Sequence, residues 1–215
     1  MKLLGVHLSP FVRKVAVVLT VKGVDYEHQP VFPGDPSEEF RAVSPLGKIP
    51  VLVDDDFVLA DSSAICEYLE EKYPEPAMLP PGLQDRARAR FLEEFGDSKL
   101  IEAAAIPFRE NFANPKLFGQ PSDADRVATA VNELLPPLLD YLNSQVPPEG
   151  YLFGHFSTAD ISISTPLFQA AYGGYEVDSK RWPRYAAFLR RVAQHPAVID
   201  VREREKQAVA QMAKS

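Results

Sequence analysis

Cysteine is almost missing from this 215-residue chain: Cys66 stands alone. A single thiol excludes an intramolecular disulfide, a thiolate metal cluster and a CxxC redox pair. Excess positive charge is missing as well, because 23 Lys and Arg face 30 Asp and Glu for a net charge of -7. That balance argues against a nucleic-acid surface, although a small basic pocket can exist inside an acidic molecule. Long apolar runs are absent. The opening MKLLGVHLSPFVRKV is interrupted by Pro10, Arg13 and Lys14, and no Ala-x-Ala cleavage pattern follows it. The expectation is a cytoplasmic protein that engages neither membrane nor nucleic acid. His7, His28, His155 and His195 show no clustered ligand spacing, so no metal site is expected. Repeats and low-complexity segments are also lacking. What is present is a composition that is 46% hydrophobic, enough to bury a real core.

Residues 3–8 read as a short apolar strand that ends at Ser9-Pro10. Residues 11–22 carry Val15, Val18 and Leu19 at helical spacing, with Gly23 as the stop. Pro10 suits the first turn, where its missing N–H costs nothing. A second strand is expected at 26–31 and a short irregular helix at 37–43. The proline-opened segment 48–53, the acidic turn Asp54-Asp55-Asp56 and residues 57–60 predict an antiparallel hairpin. Asp61-Ser62-Ser63 then caps a helix running to Tyr73, with Ile65, Tyr68 and Leu69 facing inward. The order βαβαββα predicts a small mixed sheet with helices.

Residues 74–82 hold four prolines and one glycine, which marks a boundary. Beyond it the pattern is helical: 85–112 with a kink at Pro107, 123–142 bent at Pro136-Pro137, then 158–172, 183–194 and 197–212. The expected division is an α/β domain at 1–78, a linker at 79–84 and an all-helical domain at 85–215. Charge separates the two parts. Residues 1–80 hold seven Lys and Arg against 13 Asp and Glu, a net of -6, and the remainder 16 against 17, a net of -1. An anionic ligand of the first domain must therefore rely on local donors.

Four segments could carry chemistry. Ser9 lies between a strand and a helix start, where its hydroxyl either caps the helix or donates to a thiolate favoured by the helix dipole. No acid-base partner makes it a protease-type nucleophile: His7 points to the same face by alternation, but contact does not follow from that. Pro50 either simply opens its strand or, if cis, leaves the backbone of Ile49 free to bind an extended peptide. Residues 60–65 offer either a plain helix cap, Asp61 or Ser62, or a carboxylate site. Residues 156–161 form a capping box in which Ser157 caps, Asp160 takes the third helical position and Phe156 staples Ile161. That last signal is structural.

Taken in order, Ser9-Pro10-Phe11-Val12-Arg13-Lys14, Ser44-Pro45-Leu46-Gly47-Lys48-Ile49-Pro50-Val51-Leu52, Leu59-Ala60-Asp61-Ser62-Ser63-Ala64-Ile65 with Tyr68-Leu69, and Gly154-His155-Phe156-Ser157-Thr158-Ala159-Asp160-Ile161 resemble the glutathione transferase superfamily along almost the whole chain. The resemblance implies a thioredoxin-like first domain, an all-α second domain and glutathione as co-substrate. It implies that Ser9 is the catalytic serine of a serine-type member, holding the glutathione thiolate by a hydrogen bond. Ile49, before a cis Pro50, would pair with the cysteinyl backbone. Asp61 and Ser62 would hold the γ-glutamyl end, and Lys48 the glycyl carboxylate. Phe11 completes the glutathione-binding set and borders the electrophile. A small hydrophobic electrophile would sit against the helical domain, and a homodimer is implied. Asp61 departs from the family's usual Glu by one methylene. Cysteine-type members carry Cys at or near the position of Ser9, and this chain does not. The resemblance also admits a glutathione-dependent peroxidase or reductase, and a non-catalytic binding protein of the same fold.

Overall fold

The structure is a computed structural model that describes residues 1–212. Two compact units emerge: Met1–Leu79 with the closing segment from Gln194, and Pro80–Ala193.

The first unit is the expected thioredoxin-like α/β fold. In chain order it holds β1 (Lys2–Leu4), α1 (Pro10–Val21), β2 (Glu27–Gln29), α2 (Glu38–Val43), β3 (Val51–Asp54), β4 (Phe57–Ala60) and α3 (Ser62–Lys72). The sheet order is β2-β1-β3-β4, with β1 parallel to β2 and antiparallel to β3, and β3 antiparallel to β4. β1 is shorter than the expected 3–8 because Gly5 adopts φ +143°, which ends the extended strand. α1 packs against α3 and is buried without a break from Val12 to Leu19.

Burial on every side forces the two cations inside α1 to find partners. Lys14 donates to the Ser63 hydroxyl at 3.0 Å. Arg13 Nε donates to Glu205 Oε2 at 2.7 Å, and the two side chains are 0% and 1% exposed. Glu205 belongs to the last helix, Pro196–Met212, which therefore joins the first unit through α1. The sequence division had placed 197–212 with the helical domain. Its final residues, 213–215, lie outside the described ones. The proline-rich segment is also tied down. Lys22 Nζ donates to the Glu70 carboxylate and, at 2.8 Å, to Pro76 O, while Glu70 accepts from the N–H groups of Met78 and Leu79. Met78 and Leu79 are buried, so Leu79 belongs to the first unit and not to a free linker.

The second unit is all-helical. α4 (Leu83–Phe95), α5 (Ile101–Phe108) and α6 (Asn114–Leu117) are joined by wide π turns at Gly96–Leu100 and Arg109–Ala113. α7 (Ala124–Thr129) runs through another π turn, Ala130–Leu134, into α8 (Leu135–Gln145). The irregularity expected from Pro107 thus falls just after it, and that from Pro136-Pro137 just before. The glycine at 96 has its own reason. A Cβ there would stand 2.4 Å from the backbone oxygen of Ser162, so glycine is what lets α4 approach α9 (Thr158–Ser162). The single helix expected at 158–172 divides, with α10 (Thr165–Ala170) restarting before Pro166. α11 (Pro183–Ala193) follows, and the closing helix of the first unit is α12. Before α9 the capping box forms as expected: Asp160 accepts from the N–H and hydroxyl of Ser157 and from Leu152 N. Among the described residues no helix is long and apolar enough to cross a membrane.

Candidate functional site

The sheet register gathers the candidate residues. Gln29, Leu4, Val51 and Ala60 lie in one row across the four strands. The chain leaves β1 and β4 at that row and enters β3 there. The segments 5–9, 44–50 and Asp61-Ser62 therefore all emerge at one end of the sheet. Gly5 shows how tightly two of them meet: a Cβ on it would stand 2.5 Å from Val12 Cγ2 and 3.2 Å from Ile49 Cβ.

Ser9 is the N-cap of α1 and is 8% exposed. Its Oγ accepts from Val12 N at 3.4 Å, a long and weak bond, and its backbone oxygen accepts from Arg13 N at 2.9 Å. Capping uses only the oxygen's lone pairs. The hydroxyl proton has no acceptor among the described residues, so cap and thiolate donor are compatible roles. At the helix end Pro10 brings no N–H, and Val12 and Arg13 are engaged. The N–H of half-buried Phe11 is the donor that remains.

The Ile49–Pro50 peptide is cis. Ile49 is 8% exposed, yet its N–H and C=O make no hydrogen bond among the described residues. Buried backbone groups are ordinarily paired, and these lie one residue beyond Pro50, where the β1–β3 ladder stops. Lys48 is exposed, and its carbonyl is fixed by the Ser44 hydroxyl at 2.7 Å.

Asp61 settles the choice of cap before α3. Its Oδ1 accepts from Ser63 N at 3.0 Å and Ala64 N at 3.1 Å. The carboxylate thereby occupies two donors that an incoming carboxylate would have used, leaving the Ser62 N–H and hydroxyl. Asp61 Oδ2 makes no hydrogen bond among the described residues and remains available to a cation. The backbone of Asp61 has φ +83° and ψ 126°, a conformation costly for a residue with a Cβ and of the kind that gathers at functional sites.

Sequence reasoning missed the residues behind this surface. His7 stacks on His28 with ring centroids 3.7 Å apart, and His28 Nε2 donates to Gly5 O at 2.7 Å. Burial lowers both imidazoles, His7 to about 4 with the neighbouring His28 adding to the effect, so both rings are neutral near pH 7. His28 lies on an alternating strand and His7 just past another, so parallel pairing of the two was the available signal. No group of three or more His, Cys, Asp or Glu that could hold a metal ion occurs among the described residues.

Comparison with known proteins identifies one family. Residues 3–77 match the family model for the glutathione S-transferase N-terminal domain. A maleylacetoacetate isomerase of Pseudomonas aeruginosa is 30% identical over 204 residues, 92% of this chain and 93% of that one. Glutathione S-transferase Z2 of Arabidopsis thaliana is 44% identical over 90 residues, so this chain spans only 40% of that relative's length. Among solved structures, a glutathione S-transferase from Rhodospirillum rubrum F11 is 31% identical with a TM-score of 0.82, covering 93% of this chain and 90% of that one.

Proposed function

The chain belongs to the glutathione transferase family, and from that premise we propose that it binds reduced glutathione and adds its thiolate to a small hydrophobic electrophile. The observation that carries this reading is the uncommitted backbone of Ile49 beside the uncommitted proton of Ser9, both at one end of the sheet. An extended γ-glutamyl-cysteinyl-glycine pairs its cysteinyl N–H and C=O with Ile49, as a short added strand does. Ser62 receives the γ-glutamyl carboxylate, Asp61 Oδ2 the amine, and Lys48 the glycyl carboxylate. The tripeptide's cysteinyl sulfur then faces Ser9 and the N–H of Phe11.

A free thiol titrates near 8.5, so little thiolate exists at pH 7. The Ser9 hydroxyl and the α1 dipole favour the anion, and the thiol proton passes to solvent. The sulfur's electron pair forms the S–C bond, and the leaving group departs with the pair from the bond that breaks. Ser9 orients and stabilises without taking a proton. Selection of the electrophile falls to the helical unit. Ser9→Ala is expected to lower kcat roughly 100-fold, the scale of losing one oxyanion-type donor, while KM for glutathione changes by less than about threefold. Equal losses in both would remove Ser9 from the thiolate.

The Pseudomonas relative's name favours a second reading, an isomerase. The same thiolate adds to a conjugated carbon–carbon double bond, rotation follows, and the thiolate leaves with its electrons. Glutathione is then returned, so a count of thiol consumed per product separates the two readings. A cytoplasmic location belongs to the proposal, because glutathione is kept reduced there. So does a homodimer. Leu46, Phe57 and Val58 on the first unit, and Leu83 and Phe91 on α4, are exposed apolar side chains. The exposed Asp55 and Asp56 complement the exposed Arg88 and Arg90 in charge. Sedimentation at micromolar concentration tests this, and a monomer would refute it.

A further inference from the structure

We propose that His28 is a positioning residue for thiol activation: its hydrogen bond to Gly5 O, held by the stacked ring of His7, sets the junction on which both Ser9 and Ile49 depend. The proposal rests on the glutathione reading above and names a group that reading does not use.

The chain of contacts is short. His28 is the middle residue of β2, beside Leu3 in the parallel ladder. Its Nε2 is 2.7 Å from Gly5 O, an atom that can only accept, so the ring carries its proton on Nε2. Gly5 N donates to Gln29 O at 3.0 Å, so β2 grips Gly5 on both sides of its Cα. That Cα is where the first turn of α1 and the peptide-binding loop converge, through Val12 and Ile49. Ser9 is placed chiefly by its backbone, with Ser9 N bonded to Val6 O at 3.1 Å and Ser9 O accepting from Arg13 N at 2.9 Å, and Val12 N–H adds a weak contact to Ser9 Oγ at 3.4 Å. A Cβ added at Gly5 would stand 2.5 Å from Val12 Cγ2 and 3.2 Å from Ile49 Cβ, so both side chains pack over the Gly5 Cα, and a shift of Gly5 is passed to the first turn of α1 and to Ile49 together.

His7 covers the other side of the ring, and the two remain stacked as neutral groups. Facing them are Tyr26 of β2's approach, 6.3 Å from His28 by ring centroid, and Arg204 and Glu205 of α12. Arg204 is held by Asp200 and by the Tyr26 hydroxyl, and Glu205 by Arg13. The imidazole is thus held by its bond to Gly5 O and by the stacked His7 ring, both in the segment that follows β1, more constraint than a surface histidine needs. An aliphatic residue could occupy the space, but it brings no hydrogen-bond donor for the Gly5 carbonyl.

Two substitutions separate holding from filling. His28→Phe keeps a ring for His7 and removes the donor. His28→Gln gives up the ring and retains an N–H able to reach Gly5 O. Each is compared with the unaltered protein by far-ultraviolet circular dichroism, by the pH midpoint of the thiolate difference absorbance with bound glutathione, and by kcat and KM. His28→Phe is expected to raise the thiolate midpoint and to lower kcat three- to tenfold, the scale of one hydrogen bond, with KM for glutathione changed less than twofold. His28→Gln is expected to stay within twofold of the unaltered protein in every respect. A His28→Phe protein that melts lower yet keeps the midpoint and kcat would show a purely structural role and overturn the proposal. So would a His28→Gln protein as impaired as His28→Phe. If the unaltered protein itself gives no thiolate signal, the glutathione reading fails and this proposal with it, an outcome distinct from both.

Discussion

Removing one side of the Arg13–Glu205 pair should expose how much α12 contributes to the first unit. Glu205→Ala leaves the Arg13 guanidinium, 0% exposed, without the carboxylate 2.7 Å from its Nε. Breaking a buried pair in this way costs about 3–5 kcal/mol, since a desolvated charge loses its partner. Glu205 Oε1 makes no hydrogen bond among the described residues, so the native pair is not ideally satisfied. The lower end, about 3 kcal/mol, is therefore expected, with a fall in Tm of about 6–12 °C for a chain of this size. Urea titration followed by circular dichroism measures the loss. Trp182, the sole tryptophan and part of the helical unit, reports by fluorescence whether that unit follows. Arg13→Met with Glu205→Leu, which removes both charges at similar volume, should lose less than Glu205→Ala alone. A single variant within about 0.5 kcal/mol of the unaltered protein, or a double variant worse than the single, would refute the reasoning.

Three other substitutions and conditions test separate parts of the structure. Gly96→Ala drives a Cβ to 2.4 Å from the Ser162 carbonyl and should lower Tm by at least about 5 °C; an unchanged Tm would show that α4 and α9 are not so closely apposed. Asp61→Ala removes the α3 cap while keeping a Cβ at φ +83°, and should cost about 1–3 kcal/mol, more than Asp61→Gly, by denaturant titration. The pH response has two signs. His7, lowered from 6.5 to about 4, lets the unfolded chain bind more protons between those values, so its contribution is intact above 6.5 and is lost as pH falls toward 4. Asp160, raised by burial to about 6, does the reverse: it favours the fold below about 4, and that is lost as pH rises through 6. His7→Phe should therefore lose less stability than the unaltered protein between pH 7 and pH 4.5, by about 1–2 kcal/mol after allowance for solvent screening of a half-exposed ring. Equal losses would contradict the burial of His7.

The local elements were legible because local chemistry sets them. Ser9-Pro10 starts α1, Asp54-Asp55-Asp56 turns the hairpin, and Ser157 with Asp160 opens α9, each by rules that act within four residues. Ordered motifs also brought the candidate residues onto one family pattern. What could not be read lies in long-range pairing. Nothing near Arg13 announces that Glu205, 192 residues later, will pair with it, so the sequence groups the last helix with the helical domain, whereas in the structure it packs with the first unit. The same holds for Lys22 and Glu70, which clamp a segment whose prolines suggested a loose linker. The requirement for glycine at 96 is set by a neighbour 66 residues away, Ser162, rather than by its own segment. His7 and His28 looked unrelated because their meeting depends on parallel pairing of two three-residue strands.

Calorimetric titration with reduced glutathione, followed in the same sample by ultraviolet difference spectroscopy, tests the central claim most directly. Saturable binding with a thiolate band present near pH 7, and the band lost in Ser9→Ala with binding retained, is the expected result. No heat of binding at millimolar glutathione, or binding without a thiolate band in the unaltered protein, would contradict it.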